Sequence, residues 1–413
     1  MFRELTIQNF KSIVDVKIQL GRINVFIGAN GSGKSNILEA LAMMSAAKGN
    51  QLNPQTLFNK GVRVAKPNLT INSFTGLKSK GSIILSLTGD EDEKIESRLS
   101  CSEADNIFGD WIDQAEEDQL NRLTSIYEKI FTREALQSQV AEKLKKEAKT
   151  LSKKELDGII RQQVDKFIKE ERPLITKRIY QQEIVKQYTR LINYVIFNIQ
   201  TNVLRGINSG ENYTRPLGVS GEGLDILLSS FKEQDIQLLK QHKFIDWLKD
   251  FFIDSDNALK FEGHKIGRSK SLLYLQDKFM KRGNAILSAE NTNEGALHAM
   301  FYLALMVSEI TPGFFAIDNI ENTLNPRLCE NLVKAIAKIS VIKNKQVLIA
   351  TQSPAILDGL NLKDPEQRLF VVRRNLKGHT IVQRVEAKPT TDKKYKLSEL
   401  FIEDYIGGLN PIM

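Results

Sequence analysis

Cysteine is nearly absent: Cys101 and Cys329 are the two in 413 residues. They stand far apart and in no C-x-x-C pair. Neither a disulfide framework nor a zinc site can be built on them, and the usage fits a reducing cytoplasm. Histidine is scarce too. His242, His264, His298 and His379 do not cluster, which argues against a metal centre made of imidazoles. The opening MFRELTIQNFKSIVD lacks the charged-then-apolar organisation of a signal peptide. No long apolar run is uninterrupted. The most apolar stretch, Gly295–Ile317, is broken by His298, Glu309 and Pro312-Gly313. It reads as a buried helix followed by a strand, and no membrane partner is expected.

What remains is an ordinary globular composition, 41% hydrophobic and 26% charged. The length is enough for roughly two to four domains. The net charge of +8 permits contact with nucleic acid or an acidic partner. A merely Lys-rich, solvated surface gives the same balance.

One stretch organises the rest. Ile23 to Ile27 is an apolar run of strand length. Gly28-Ala29-Asn30-Gly31-Ser32-Gly33-Lys34-Ser35 then fits G-x-x-x-x-G-K-[ST], the phosphate-binding loop, and Asn36 follows it. Ile37, Leu38, Leu41, Ala42 and Met44 fall on a helical period, with Gly49 placed to end the helix. The glycines let backbone N–H groups turn toward phosphate oxygens. The helix N-terminus favours an anion. Lys34 suits the β- and γ-phosphates, and the Ser35 hydroxyl suits Mg²⁺. Nucleotide binding is therefore expected at residues 30–36.

Around that stretch, Phe2–Ile7, Val14–Leu20, Leu69–Phe74, Gly81–Thr88 and Lys94–Cys101 alternate apolar and polar residues, as strands of a small antiparallel sheet do. Residues 50–68 read as irregular. From Glu103 to Gln200 there are only one proline and two glycines, with helical apolar spacing and many Lys and Arg between about 140 and 190. Heptads are not strict, so a helical or short coiled-coil insertion is expected rather than a long rod. Its basic residues form either a solvated helix face or a surface for nucleic acid or a partner. Gly206–Gly223, which includes Arg215-Pro216-Leu217-Gly218, is turn-rich. Asp225–Ser230 and Glu233–Phe252 read as helices, and Ala258–Ile266 and Ser271–Lys278 as strands.

In the last third, Phe314–Asp318 is an apolar strand ending in an acid, as a Mg²⁺-organising carboxylate beside a phosphate loop requires. A helix follows Pro326. Gln346–Thr351 is another buried strand, and Ser353 is placed to cap a helix from Pro354. Leu369–Arg373 and Thr380–Val385 read as a terminal hairpin. The loop before Leu297, Asn293-Glu294-Gly295, is polar and glycine-containing and opens an all-round apolar helix, a geometry that can read phosphate.

Taken together, FRELTIQNFKSI, GANGSGKS, FFAIDNIENTLNPRL, LIATQSPAILDGL and the tail LSELFIEDYIGGLNP resemble the ABC-type, AAA-family ATPases of the OLD, RecF and SMC group, many of which act in bacterial phage defence. The resemblance implies an α/β fold: a P-loop ABC-type ATPase domain, of mixed sheet plus small antiparallel sheet, split by a helical or coiled-coil insertion. Its parts would be 1–101, an insertion over 102–262, and 263–413. It implies ATP and Mg²⁺, and a homodimer or higher oligomer that sandwiches ATP head-to-tail. Lys34 and Ser35 of one subunit would then face Asn293, Glu294 and Gly295 of the other. Asp318 would join Ser35 at the metal, and Gln51 or Gln55 would be the glutamine contacting Mg²⁺ or water.

Two positions depart from the family. The glutamate that usually follows the strand-end aspartate is Asn319, and the histidine before Ser-Pro is Gln352. An amide cannot accept a proton as a carboxylate can, though it can position water. Glu321 stands close enough in sequence to substitute. The catalytic candidates are therefore Asn319, Glu321 and Gln352, with slow hydrolysis or an ATP-held clamp as the outcome. About 60 residues follow Ser353, too few for the nuclease domain of OLD-type proteins. The expectation is a switch acting on a separate effector protein. A DNA-clamping repair ATPase and a non-hydrolysing scaffold are the rival readings.

Overall fold

A computed structural model describes residues 1–76, 81–91, 93–101, 103, 105–106, 108–147, 153–208, 217–241, 245–263, 267–386 and 396–406. Arg215-Pro216, His242, His264 and the tail from residue 407 lie outside the described residues.

The chain opens with β1 (Phe2–Phe10) and β2 (Ile13–Gln19), antiparallel, with Leu5 opposite Ile18 and Ile7 opposite Val16. The alternation puts one face of each on the core. β3 (Ile23–Ile27) is buried at every residue, as a central strand covered on both faces must be. α1 (Lys34–Lys48) follows the phosphate loop and is buried almost all round. Gly49 ends it as expected, but with φ −81°. The left-handed residue is its neighbour Asn50, at φ 55°.

The stretch read as irregular holds two short helices, α2 (Pro54–Asn59) and α3 (Pro67–Thr70), each opened by a proline at its first turn. α3 overturns the strand expected at Leu69–Phe74. Pro67 starts a helical turn there, and only Ile71 bridges to Phe10. β4 (Ser82–Gly89), β5 (Lys94–Cys101) and β6 (Trp111–Asp113) complete a five-stranded sheet of order β2-β1-β4-β5-β6, antiparallel throughout.

Four long helices come next: α4 (Gln114–Ile130), α5 (Arg133–Glu147), α6 (Lys153–Lys166) and α7 (Arg172–Ile192). A π-helical turn, Phe167–Glu171, joins the last two. α5 and α6 close on a small core of Leu136, Ile160 and Val164. The helical stretch ends at Ile192, not near residue 262. Already at β7 (Ile196–Phe197) the chain has rejoined the main sheet.

α8 (Thr201–Leu204), α9 (Leu224–Ser229) and α10 (Glu233–Gln241) then pack toward the core. Of the helix expected to run on to Phe252, Glu233–Gln241 is helical, while Leu248–Ile253 is a strand, β8. A register shift between Leu248 and Asp250 breaks its alternation, which is why the run mimics a helical period. At Ala258–Phe261 the expected strand is a helical turn, α11, entered through left-handed Asn257. β9 (Leu273–Asp277) and β10 (Ile286–Ser288) pair with β8 in the order β10-β9-β8.

The C-terminal part supplies α12 (Glu294–Val307), β11 (Phe314–Asp318), α13 (Pro326–Ile342), β12 (Gln346–Thr351), β13 (Gln367–Arg374), β14 (Thr380–Val385) and α14 (Leu397–Ile402). Pro354–Gly359 is a 3₁₀ turn, and the Ser353 side chain makes no capping bond to it. The six-stranded sheet runs β14-β13-β3-β12-β11-β7, parallel except for β14. Its two faces build two cores. One lies against α1 and the antiparallel sheet, the other against α12 and α13. The phosphate loop, the end of β11 and the end of β12 thus leave the same edge, the carboxyl end of the parallel strands.

Candidate functional site

The phosphate loop is fixed by close approach. A Cβ on Gly28 would lie 2.0 Å from the Val372 carbonyl oxygen, and one on Gly33 would lie 2.2 Å from Thr380 Oγ1. Gly31 and Gly33 also hold φ of 74° and 109°, a region costly for side-chain-bearing residues. The β13–β14 hairpin braces the loop from outside. Arg374 Nε donates to the Gly31 carbonyl (2.9 Å) and Thr380 Oγ1 to the Ser32 carbonyl (2.9 Å). Asn30 is exposed at the crest.

Lys34 folds back over this loop, its Nζ donating to the carbonyls of Gly28 (2.8 Å) and Ala29 (3.0 Å). Burial lowers its pKa, while Asp318 and Glu321 pull the other way. Ser35 Oγ donates to Asp318 Oδ2 at 2.7 Å. The other carboxylate oxygen, Asp318 Oδ1, is buried with no hydrogen-bond partner among the described residues. Burial pushes the Asp318 pKa up, against the Ser35 hydrogen bond and the charges of Arg63 and Lys34.

Asn319, directly after the strand, has φ 55°, and its N–H donates to the Ala350 carbonyl (3.0 Å). Asparagine tolerates that left-handed turn better than glutamate would. Glu321 is brought into the site instead. One of its oxygens accepts from Thr351 Oγ1 (2.8 Å) and the other from the Gln352 backbone N–H (2.9 Å), so the end of β12 orients the carboxylate. The Gln352 side chain is exposed beside it.

Other candidates are placed differently. Asn36 turns to the N-terminal hairpin, donating to Ser12 Oγ (2.7 Å) and accepting from Arg63 Nη2 (3.3 Å). Asn293 caps α12, its Oδ1 accepting from the Ala296 N–H at 3.2 Å. Glu294 pairs with Arg205 at 3.5 Å. Gly295 is buried, and a Cβ there would lie 3.0 Å from the Thr323 carbonyl oxygen. In one protomer these three residues therefore contact Arg205 and the loop after β11, not the phosphate loop.

Among the described residues no hydrogen bond joins Gln51 or Gln55, the glutamines offered for Mg²⁺ or water, to the phosphate loop or Asp318. α1 has 15 residues, about 22 Å of helix, and Gln51 follows its far end. Gln55 Nε2 donates to Asn59 Oδ1. A second pair was invisible in the sequence. β7 pairs in parallel with β11, Ile317 opposite Phe197. The next step of that register brings Asn198 level with Asp318, with Gln200 just beyond. Both line a cavity of about 1670 Å³ that Arg63, Gln51 and Gln55 also border. A two-residue strand shows no period, so nothing in the sequence marked them.

Residues 1–357 match the family model described as AAA ATPase domain. An SMC head bound to the C-winged helix domain of ScpA is similar over 93% of this chain and 98% of that one, at 14% identity and a TM-score of 0.51. The SMC head domain from Thermotoga maritima is similar over 94% and 99%, at 14% identity and a TM-score of 0.45. An uncharacterized protein of Methanocaldococcus jannaschii is 45% identical over 49 residues, 12% of this chain. The chain spans only 22% of that relative's length. At 14% identity the ScpA-bound SMC head shows likeness of fold alone. The family match covers most of the chain and includes the phosphate loop, Asp318 and Glu321; the protein belongs to the AAA ATPase domain family.

Proposed function

We propose that the protein binds MgATP on residues 30–35 and hydrolyses it slowly, with Glu321 as the base that Asn319 cannot be. The observation that carries this is the Ser35–Asp318 pair, 2.7 Å apart, whose second carboxylate oxygen is buried and unpartnered at the edge where Lys34 lies. A hydroxyl and a carboxylate are the hard oxygen donors Mg²⁺ takes, its other positions going to water and phosphate. The bound ion would neutralise phosphate charge. Ser35 and Asp318 would hold it, and Lys34 would leave the loop carbonyls for the phosphates. Glu321, fixed by Thr351 and Gln352, would take the proton of the attacking water, while Gln352, Asn198 or Gln200 would orient that water.

The same reading extends to assembly. Asn293, Glu294 and Gly295 of a second copy would close over the nucleotide, and the helices from α4 to α7 would pass closure on to a separate partner protein. On the family resemblance, a defence effector is the partner proposed. What supports assembly is that Asn293 and Glu294 stand at the N-terminus of α12, with their side chains on Ala296 and Arg205.

The test is calorimetric titration with ATP, with and without Mg²⁺, of the natural chain, Lys34→Ala and Asp318→Asn, with mass followed by light scattering. The expected result is Mg²⁺-dependent binding that is lost in Lys34→Ala and no longer strengthened by Mg²⁺ in Asp318→Asn. A doubling of mass with ATP would support closure. Equal binding by all three chains would refute the site.

A further inference from the structure

Beside the phosphate loop lies a buried carboxylate that the proposed mechanism does not use. Glu39 is on α1, one turn beyond Ser35, and is 2% exposed. It holds two cations from two other segments. Lys11, from the β1–β2 turn, donates to Glu39 Oε2. Arg63, from the segment between α2 and α3, gives Glu39 Oε1 both its Nε (2.7 Å) and its backbone N–H (3.2 Å). One negative charge for two positive ones leaves an excess of one positive charge.

That excess is aimed. The Arg63 side chain is 69% exposed, borders the large cavity, and reaches Asn36 in the first turn of α1. Its charge is felt at Asp318. The backbone points the same way. Lys11 sits at φ 46°, a conformation a lysine rarely adopts, in the tight turn between β1 and β2, where its backbone N–H donates to the Thr70 carbonyl (2.7 Å). From that turn its side chain reaches Glu39.

We infer that Glu39 is a positioning residue of the nucleotide site: it fixes Lys11 and Arg63 as a cation pair flanking the phosphate loop, so that a polyphosphate bound there meets Arg63 already in place. This rests on the nucleotide reading above. Glu39 touches no ligand itself. It acts through Arg63, whose guanidinium would otherwise be free to swing into the cavity.

The experiment is the equilibrium affinity for a fluorescent ATP analogue in the natural chain, Glu39→Gln, Glu39→Asp, Arg63→Ala and the Glu39→Gln/Arg63→Ala double variant, with Lys34→Ala as reference. Hydrogen bonds to charged groups are strong enough that Glu39→Gln should weaken binding about tenfold. Arg63→Ala should do about the same, and the double variant should be no worse than Arg63→Ala alone. Glu39→Asp keeps the charge but draws it back by one methylene, so it should lose less; it also stands in if two unpaired cations prevent Glu39→Gln from folding. Additive losses in the double variant would mean Glu39 acts independently of Arg63, as a merely structural residue would, and would overturn the inference. So would natural affinity in Glu39→Gln. If the natural chain binds no better than Lys34→Ala, the nucleotide reading falls and this inference with it.

Discussion

At the scale of single residues, the proposed catalysis turns on which side chain serves as the base where the family resemblance would put a glutamate. Asn319 follows Asp318 directly but is spent on a left-handed turn, while Glu321, two residues on, is held by Thr351 and the Gln352 N–H. Asn319→Glu should therefore lower stability by about 1 kcal/mol, read by urea unfolding, because glutamate tolerates positive φ poorly. The sequence offered Asn319, Glu321 and Gln352 together. It could not rank them, because spacing does not reveal which way a turn throws its side chains.

Two buried titrating groups give opposite pH signatures. Burial raises the Asp318 pKa above its usual value near 3.8. The folded state then binds more protons than the unfolded state, and stability falls as pH rises from there through the raised value. Asp318→Asn should remove that loss. His298 is pushed down to about 4 from 6.5, first by burial and then by Arg205, with Nε2 3.1 Å from Thr201 Oγ1. Here the unfolded state binds the extra proton, so stability falls as pH drops from 6.5 toward 4, by at most about 3 kcal/mol. In His298→Gln that part of the acid loss should vanish from denaturation curves taken across this window.

At the scale of elements, α1 joins the nucleotide edge to the helical insertion. Its N-terminus carries Lys34 and Ser35, and its C-terminal half grips both ends of the insertion. Lys48 pairs with Asp113 at 2.8 Å, at the start of α4. Lys60 donates to Ser45 Oγ on α1 and to the Ile192 carbonyl at the end of α7, both at 2.7 Å. Removing one partner of a buried pair is costly. Lys48→Ala should destabilise by about 3 kcal/mol, whereas exposed Lys94→Ala, whose partner Glu96 is also exposed, should change stability by less than about 1 kcal/mol. The two melts, run side by side, check this.

Legibility also followed the elements. β11, β12 and α12 could be read because continuous burial leaves continuous apolar runs. The β8 bulge, the proline-opened turn at α3 and the two-residue β7 could not, since none of them repeats a period. That is why the sequence offered Gln51 and Gln55, beyond the C-terminal end of α1, and gave no sign of Asn198 and Gln200, which line the same cavity.

At the scale of the whole molecule, the sheet, its two cores and the phosphate edge place the chain on the AAA ATPase fold, with likeness of fold to the ScpA-bound SMC head over 93% of its length. Much of that was legible, because the phosphate loop and the strand-end aspartate are local patterns joined by a parallel sheet. Where the insertion ends was not, because β7 returns to the sheet with only two residues. The claim on which the rest depends is that this fold cleaves ATP with Glu321. The direct measurement is single-turnover cleavage of radiolabelled ATP by the natural chain, Lys34→Ala, Glu321→Gln and Asn319→Glu. Glu321→Gln should bind ATP and cleave it at least about a hundredfold more slowly than the natural chain, with Asn319→Glu no faster than natural. Natural-rate cleavage by Glu321→Gln, or a natural chain no faster than Lys34→Ala, would contradict it.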